Sequence, residues 1–234
     1  MTDRQFEWCG IRWTTRERWG TVHPEKAYCW YDDNCVSVDD DGYLRLICKY
    51  SPRRIESVGK SFYPTYGVGL VSSFASGEVF KYGHYLWEAK LPSGKNLWPA
   101  LWMWAGPWPP EIDVVEAWTN SRGGYYGFPF TWKVTSNFHQ PDAVRNMAKR
   151  VGIFRMPDPT SKFIKYELYW DEKKLEFVYN GRLVRKVDDP DLMKYLAEST
   201  PHGMDIIMNN HVTEEYHSFK VSEPLIVKRF EYEK

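Results

Sequence analysis

Apolar and polar positions alternate in short runs along most of this chain, the pattern of strands that bury one face. Such runs occur at YLRLICKY (43–50), VGLVSSF (68–74), HYLWEAKL (84–91), LWPALWMW (97–104) and EIDVVEAW (111–118). They resume at FIKYELYW (163–170), at LEFVY and RLVRKV on either side of Asn180-Gly181, at MDIIMNN (204–210) and at PLIVKRFEY (224–232). The Asn-Gly pair predicts a two-residue type I′ hairpin, because both residues tolerate positive φ. One stretch, DDPDLMKYLAES, predicts a helix, with Asp189 as N-cap, Pro190 at the first position and Leu192, Met193 and Leu196 on one side. A single short helix among about a dozen strands excludes βαβ units and a parallel sheet. The expected fold is all-β: two packed antiparallel sheets forming a sandwich or jelly roll. Residues 119–162 lack a clear period and are expected to be long surface loops, of the kind that shape binding sites. With no repeat, low-complexity tract or linker, residues 1–234 are expected to form one domain, as all-β sandwiches of about 200 to 250 residues do.

Charge narrows the range of partners. Thirty-one basic residues balance thirty-one acidic ones, so no long-range field gathers phosphate backbones and nucleic acid is not expected as a partner. No apolar run reaches the ~18 residues of a membrane span, and MTDRQFEW lacks the apolar core of a secretion signal. Cys9, Cys29, Cys35 and Cys48 show no C-x-x-C or C-x-x-H spacing, which excludes the zinc and thioredoxin readings. Cys48, sharing an alternating face with Leu44 and Leu46, is expected to be a buried thiol rather than half of a disulfide.

The most informative segment is PPEIDVVEAW, where three acids interrupt a strongly β-forming stretch. Alternation puts Glu111 and Asp113 on one face, with Cα atoms roughly 6.6 Å apart, and Ile112 and Val114 in the core. Strict alternation would send Glu116 into that core, at a cost of several kcal/mol for a buried carboxylate. One extra residue around Val114-Val115, a β-bulge, returns Glu116 to the side of the other two. Two glutamates on one face, about 5 to 5.5 Å apart at their carboxyls, suit retaining glycoside hydrolysis, with one as nucleophile and one as acid. Repulsion among the three acids raises at least one pKa, as the acid role requires, and Glu116, beside Ala117 and Trp118, is the candidate.

Taken alone, the carboxylates also describe a solvated strand edge. The preceding aromatics alter that reading. Trp98, Trp102 and Trp104 share one parity in LWPALWMW, with Ala100 leaving a gap, so a hairpin through AGPWPP brings indoles and carboxylates to one cleft suited to a neutral polysaccharide.

EIDVVE, preceded by LPSGKNLWPALWMW, resembles glycoside hydrolase family 16, which includes laminarinases, agarases and carrageenases. GLVSSFASGEVFKYGHYLWEAKLP and FIKYELYWDEKKLEFVYNGRLVRKV extend the resemblance over most of residues 40–232, while the first 40 residues and 119–162 match poorly. The resemblance implies a concanavalin A-like β-sandwich with a cleft across its concave sheet. It also implies Glu111 as nucleophile, Asp113 as the assisting acid and Glu116 as general acid/base, with Trp98, Trp102 and Trp118 as sugar platforms beside Trp104. His139 falls where many members place a cleft histidine, and Trp170, at a strand end, is a candidate to close the groove or to pack in the core. Arg122, Lys133 and Arg145 lie in the irregular middle as possible contacts to anionic groups or as solvated loop charges. The family's closing strand often carries an aspartate for structural calcium, but here LIVKRFEY places Val227 or Lys228 near that position. No catalytic metal or redox cofactor is expected. AWTN after Glu116 departs from the laminarinase ending, which leaves β-glucans and algal galactans (agarose, porphyran, carrageenan) open as substrates.

The expected activity is endo-acting, retaining β-glycoside hydrolysis by a monomer, at the cell surface or outside the cell, where polymeric substrates are met. A carbohydrate-binding lectin and a transglycosylase on the same sandwich are the alternatives.

Overall fold

A computed structural model describes residues 4–22, 28–57, 59–119, 133–139, 151–155, 158–213 and 219–234. In chain order, the first strands are β1 (Gln5–Trp8), β2 (Ile11–Thr14), β3 (Cys29–Tyr31), β4 (Val36–Val38), β5 (Leu44–Leu46), β6 (Cys48–Tyr50), β7 (Ile55–Ser57) and β8 (Lys60–Phe62). The central ones are β9 (Tyr66–Ser72), β10 (Gly83–Lys90), β11 (Leu97–Trp104), β12 (Glu111–Glu116), β13 (Lys133–His139) and β14 (Val151–Arg155). The chain continues through β15 (Ile164–Trp170), β16 (Leu175–Tyr179), β17 (Arg182–Val187), helix α1 (Pro190–Ser199), β18 (Asp205–Val212) and β19 (Leu225–Glu233).

Two large sheets form the sandwich. The inner sheet runs β1-β2-β9-β18-β11-β12-β13-β14, with β3 and β6 also pairing with β9, and the outer sheet runs β17-β16-β15-β10-β19-β5-β4. Pairing within both is antiparallel apart from β3 on β9. Leu101, Met103, Ile112, Ile206 and Met208 of the inner sheet pack against Trp87, Tyr166, Leu168, Phe177 and Phe230 of the outer one, which is the core that the alternation predicts. The chain crosses between sheets at Ile47, directly over Gly69. A Cβ on Gly69 would lie 2.5 Å from the Cys35 carbonyl oxygen and 3.0 Å from Leu46 Cα, so only glycine allows this approach.

That crossing corrects the placing of Cys48. It is buried as expected, but on the inner sheet and away from Leu44 and Leu46, and its thiol donates to the Asn210 carbonyl at 2.9 Å. All four cysteines are free thiols. The Asn180-Gly181 hairpin forms between β16 and β17 with φ of 49° and 76°. Helix α1 starts as predicted, with the Asp189 carboxylate accepting from the Asp191 and Leu192 N–H groups at 3.0 and 3.1 Å and Met193 and Leu196 buried.

Residues 119–162 are not only loop, because β13 and β14 extend the inner sheet beyond β12. Their apolar period is diluted because β13 reads KVTSNFH, with few large apolar side chains. The first 40 residues also contribute β1 to β4, which the alternation did not reveal.

Candidate active site

The face of the inner sheet turned away from the core carries the site, and the bulge assembles it. Along β11 and β12, Trp104 lies opposite Glu111, Trp102 opposite Asp113, Leu101 opposite Val115 and Ala100 opposite Glu116. Val114 is the extra residue, so Glu111, Asp113 and Glu116 share the parity of the tryptophans. The carbonyl of Val114 accepts a hydrogen bond from the Tyr179 hydroxyl, which reaches across from the outer sheet. The face is no strand edge: β12 lies between β11 and β13, and Asp113 is only 3 % exposed, while Glu111 and Glu116 are half-buried.

Indoles surround the acids. The Trp98 N–H donates to Glu116 Oε1 at 3.2 Å, and the Trp98 ring tilts against Trp118 with centroids 5.5 Å apart. Trp102 donates to Asn209 Oδ1 at 2.7 Å, and the Asn209 amide in turn donates to the Trp98 carbonyl at 3.2 Å. Trp104 packs against Trp19, with centroids 4.9 Å apart. On the other flank, the β12–β13 register sets His139 opposite Glu111, Asn137 opposite Asp113 and Thr135 opposite Glu116. Arg122 and Arg145 lie outside the described residues, while Lys133 opens β13.

Trp170 does not belong to this groove. It lies on the outer sheet, 2 % exposed, edge-on to Tyr82 at 5.7 Å, so the packing alternative is the correct one. The resemblance puts the closing-strand calcium position near Val227 or Lys228. Val227 is buried in the core, and the Lys228 ammonium pairs with Glu88 at 2.9 Å. Among the described residues, no three His, Cys, Asp or Glu side chains are grouped to hold a metal ion.

Sequence reasoning missed four groove residues: Arg18, Trp19, Asp205 and Asn209. Asp205 and Asn209 share one parity in MDIIMNN, a legible signal once β18 is known to pair with β11. Asp205 lies opposite Trp104, and Asn209 opposite Ala100. Arg18 grips Asp205 through Nε at 2.6 Å and Nη2 at 3.0 Å. Beneath that pair lies Glu17, fully buried, with its pKa pushed up to about 8 by burial and then by the Asp205 charge.

Residues 24–215 match glycosyl hydrolases family 16. Among curated proteins, an endo-1,3-1,4-beta-glycanase, EglC, of Rhizobium meliloti (strain 1021) is 27% identical over 197 residues, covering 80% of this chain and 39% of that protein. The chain thus spans about two fifths of that relative's length. Among solved structures, the catalytic domain of an endo-1,3-beta-glucanase (laminarinase) from Thermotoga petrophila RKU-1 superposes with a TM-score of 0.67 at 23% identity, covering 88% of this chain and 84% of that one. A laminarinase from Flavobacterium sp. UMI-01 gives a TM-score of 0.69 at 18% identity, covering 88% and 85%.

Proposed function

The chain belongs to glycosyl hydrolases family 16, and from this premise we propose that it is an endo-acting, retaining hydrolase of β-linked glucans. The observation that carries the proposal is the bulged register, which sets Glu111, Asp113 and Glu116 opposite Trp104, Trp102 and Ala100 on one groove face. At ~3.4 Å per residue, and with Val114 adding no length, the two glutamates lie on the order of 14 Å apart along the strand at Cα, and the reaction requires their side chains to lean toward each other over Asp113.

In the first step, Glu111 attacks the anomeric carbon while protonated Glu116 donates its proton to the departing glycosidic oxygen. Water then enters, Glu116 takes its proton, and the glycosyl–Glu111 ester breaks with net retention. The indole N–H of Trp98 donates to Oε1 and so helps to fix the orientation of the Glu116 carboxyl. Asp113, buried between the two glutamates, is the assisting acid of this pair. Trp98, Trp102, Trp104 and Trp118 supply ring faces for pyranose C–H groups.

Relatives bearing the names endo-1,3-1,4-beta-glycanase and glucan endo-1,3-beta-glucosidase support β-glucan as the substrate class. Such polymers are met at or beyond the cell surface, where we place the site of action. The purified protein is expected to release reducing ends from laminarin or barley β-glucan faster than from agarose, carrageenan or porphyran. Proton NMR of the first products is expected to show the β-anomer. Glu111→Ser is expected to lower turnover by at least about 10⁴-fold without changing the unfolding midpoint. Saturable glycan binding with no product over long incubation would overturn the proposal in favour of a lectin.

A further inference from the structure

The groove continues beyond β11 to a turn that precedes the family-matched span. The Gly20 N–H donates to the Glu17 carbonyl at 2.8 Å, closing a four-residue turn with Arg18 and Trp19 at its tip. Both tip residues reach the groove face. The Arg18 side chain is 50% exposed, lies with its guanidinium carbon 5.7 Å from the centroid of the Phe74 ring, and forks Asp205, itself only 11% exposed. Trp19 donates to the Tyr31 hydroxyl at 3.1 Å and lays its half-buried ring against the half-buried Trp104.

Register ties this turn to the carboxylates. Glu111 lies opposite Trp104, and Trp104 lies opposite Asp205, so the three form one row across adjacent strands. At ~4.8 Å per strand, Asp205 is about 10 Å from Glu111, a separation on the scale of a disaccharide.

We infer that the turn 17–20 completes a distal sugar subsite for a neutral pyranose, with Trp19 and Trp104 as its aromatic surface and the Arg18–Asp205 pair reading its hydroxyls. The inference rests on the proposed activity and deepens it. A bidentate carboxylate cancels the charge of the guanidinium, so the pair offers N–H donors and carboxylate acceptors with no net charge. A sulfated or carboxylated sugar finds no uncompensated cation here, whereas a hydroxyl finds both donor and acceptor. Nη1 of Arg18 has no protein partner among the described residues and is the atom assigned to the sugar. Burial raises the pKa of Glu17, directly beneath, to about 8, so at neutral pH this carboxyl stays protonated and leaves Arg18 to Asp205.

The test uses laminari-oligosaccharides of two to six units and the matching oligosaccharides of barley β-glucan. In Trp19→Ala and in Arg18→Ala, kcat/KM for the hexaose is expected to fall about tenfold relative to the triose, because only the longer ligand spans both the cleaved bond and the turn. Trp19→Phe, which keeps a ring, is expected to restore most of that ratio. A sulfated galactan hexaose is expected to bind at least tenfold more weakly than the neutral one. An unchanged ratio in both alanine variants, or an equal loss at every length, would overturn the inference while leaving the hydrolase reading intact. If the wild type cleaves none of these glycans, the activity reading fails by itself. Calorimetric binding of the hexaose then decides the subsite: at least tenfold weaker binding in Trp19→Ala supports it, and equal binding removes it.

Discussion

Glu17 is held in an unfavourable state. Its carboxyl is fully buried, and the groups facing it are Asp205, Tyr31, Ser72 and the Arg18 backbone. Burial and Asp205 raise its folded pKa to about 8, from an ordinary glutamate value near 4.3 in the unfolded chain. An acid shifted upward keeps its proton longer when folded, so this group costs nothing below its unfolded pKa. Between about pH 4.3 and pH 8, unfolding releases a proton, and stability falls as pH rises, levelling off above pH 8. Glu17→Gln keeps the shape and removes the titration. Urea midpoints of wild type and variant are expected to be close at pH 5 and to separate steadily to pH 8.5, with the variant the more stable by a few kcal/mol. Parallel pH profiles would show that Glu17 does not titrate in that window.

At the scale of the strand, β12 depends on a contact from the opposite sheet. The bulge frees the Val114 carbonyl, and the Tyr179 hydroxyl satisfies it, while the Tyr179 ring packs edge-on to Tyr166 with centroids 5.0 Å apart. Tyr179→Phe keeps the ring and removes the donor, leaving a buried carbonyl unpaired at a cost of about 1–3 kcal/mol. Because the bulge aims Glu116, kcat is expected to fall several-fold with little change in KM, and the acidic and basic limbs of the pH–rate profile to move. A stability loss with kcat and the profile unchanged would limit Tyr179 to a structural role. The bulge itself was legible, since unbroken alternation would have put a carboxylate among Val and Ile. Its partner was not, because Tyr179 stands 65 residues further along on a strand whose sheet assignment no local pattern reveals. The parity of Trp98, Trp102 and Trp104 was equally legible. Trp170 was not, because a tryptophan at a strand end reads the same whether its sheet lines the groove or backs the core.

The molecule as a whole extends further back than the span matched by the family model. The match begins at residue 24, yet Trp8, Ile11 and Trp13 are buried in the main core. Trp13 is fully enclosed, meets Phe230 of the outer sheet edge-on at 5.8 Å, and donates its N–H to the Trp8 carbonyl at 2.9 Å. Sequence pattern gave little sign of this, because QFEW and IRWT are four-residue runs too short for a period to stand out. Placed in space, they pair as a hairpin whose last residue, Thr14, joins Ser72 on β9, and the chain then enters the turn of Arg18 and Trp19. The hairpin therefore closes one end of the sandwich and anchors one wall of the groove. Trp13→Ala removes a large enclosed ring and is expected to cost about 3–5 kcal/mol. The loss is to be read as a shift in denaturant midpoint at unchanged slope, since hairpin and sandwich share one core and unfold together. Cleavage of laminarin per folded molecule, measured well below the new midpoint, is expected to persist, because Trp13 lies on the core side of the inner sheet and the acids on its opposite face. A loss under about 1 kcal/mol, or a changed slope, would mean that the hairpin melts separately and the cooperative unit begins near the family-matched span.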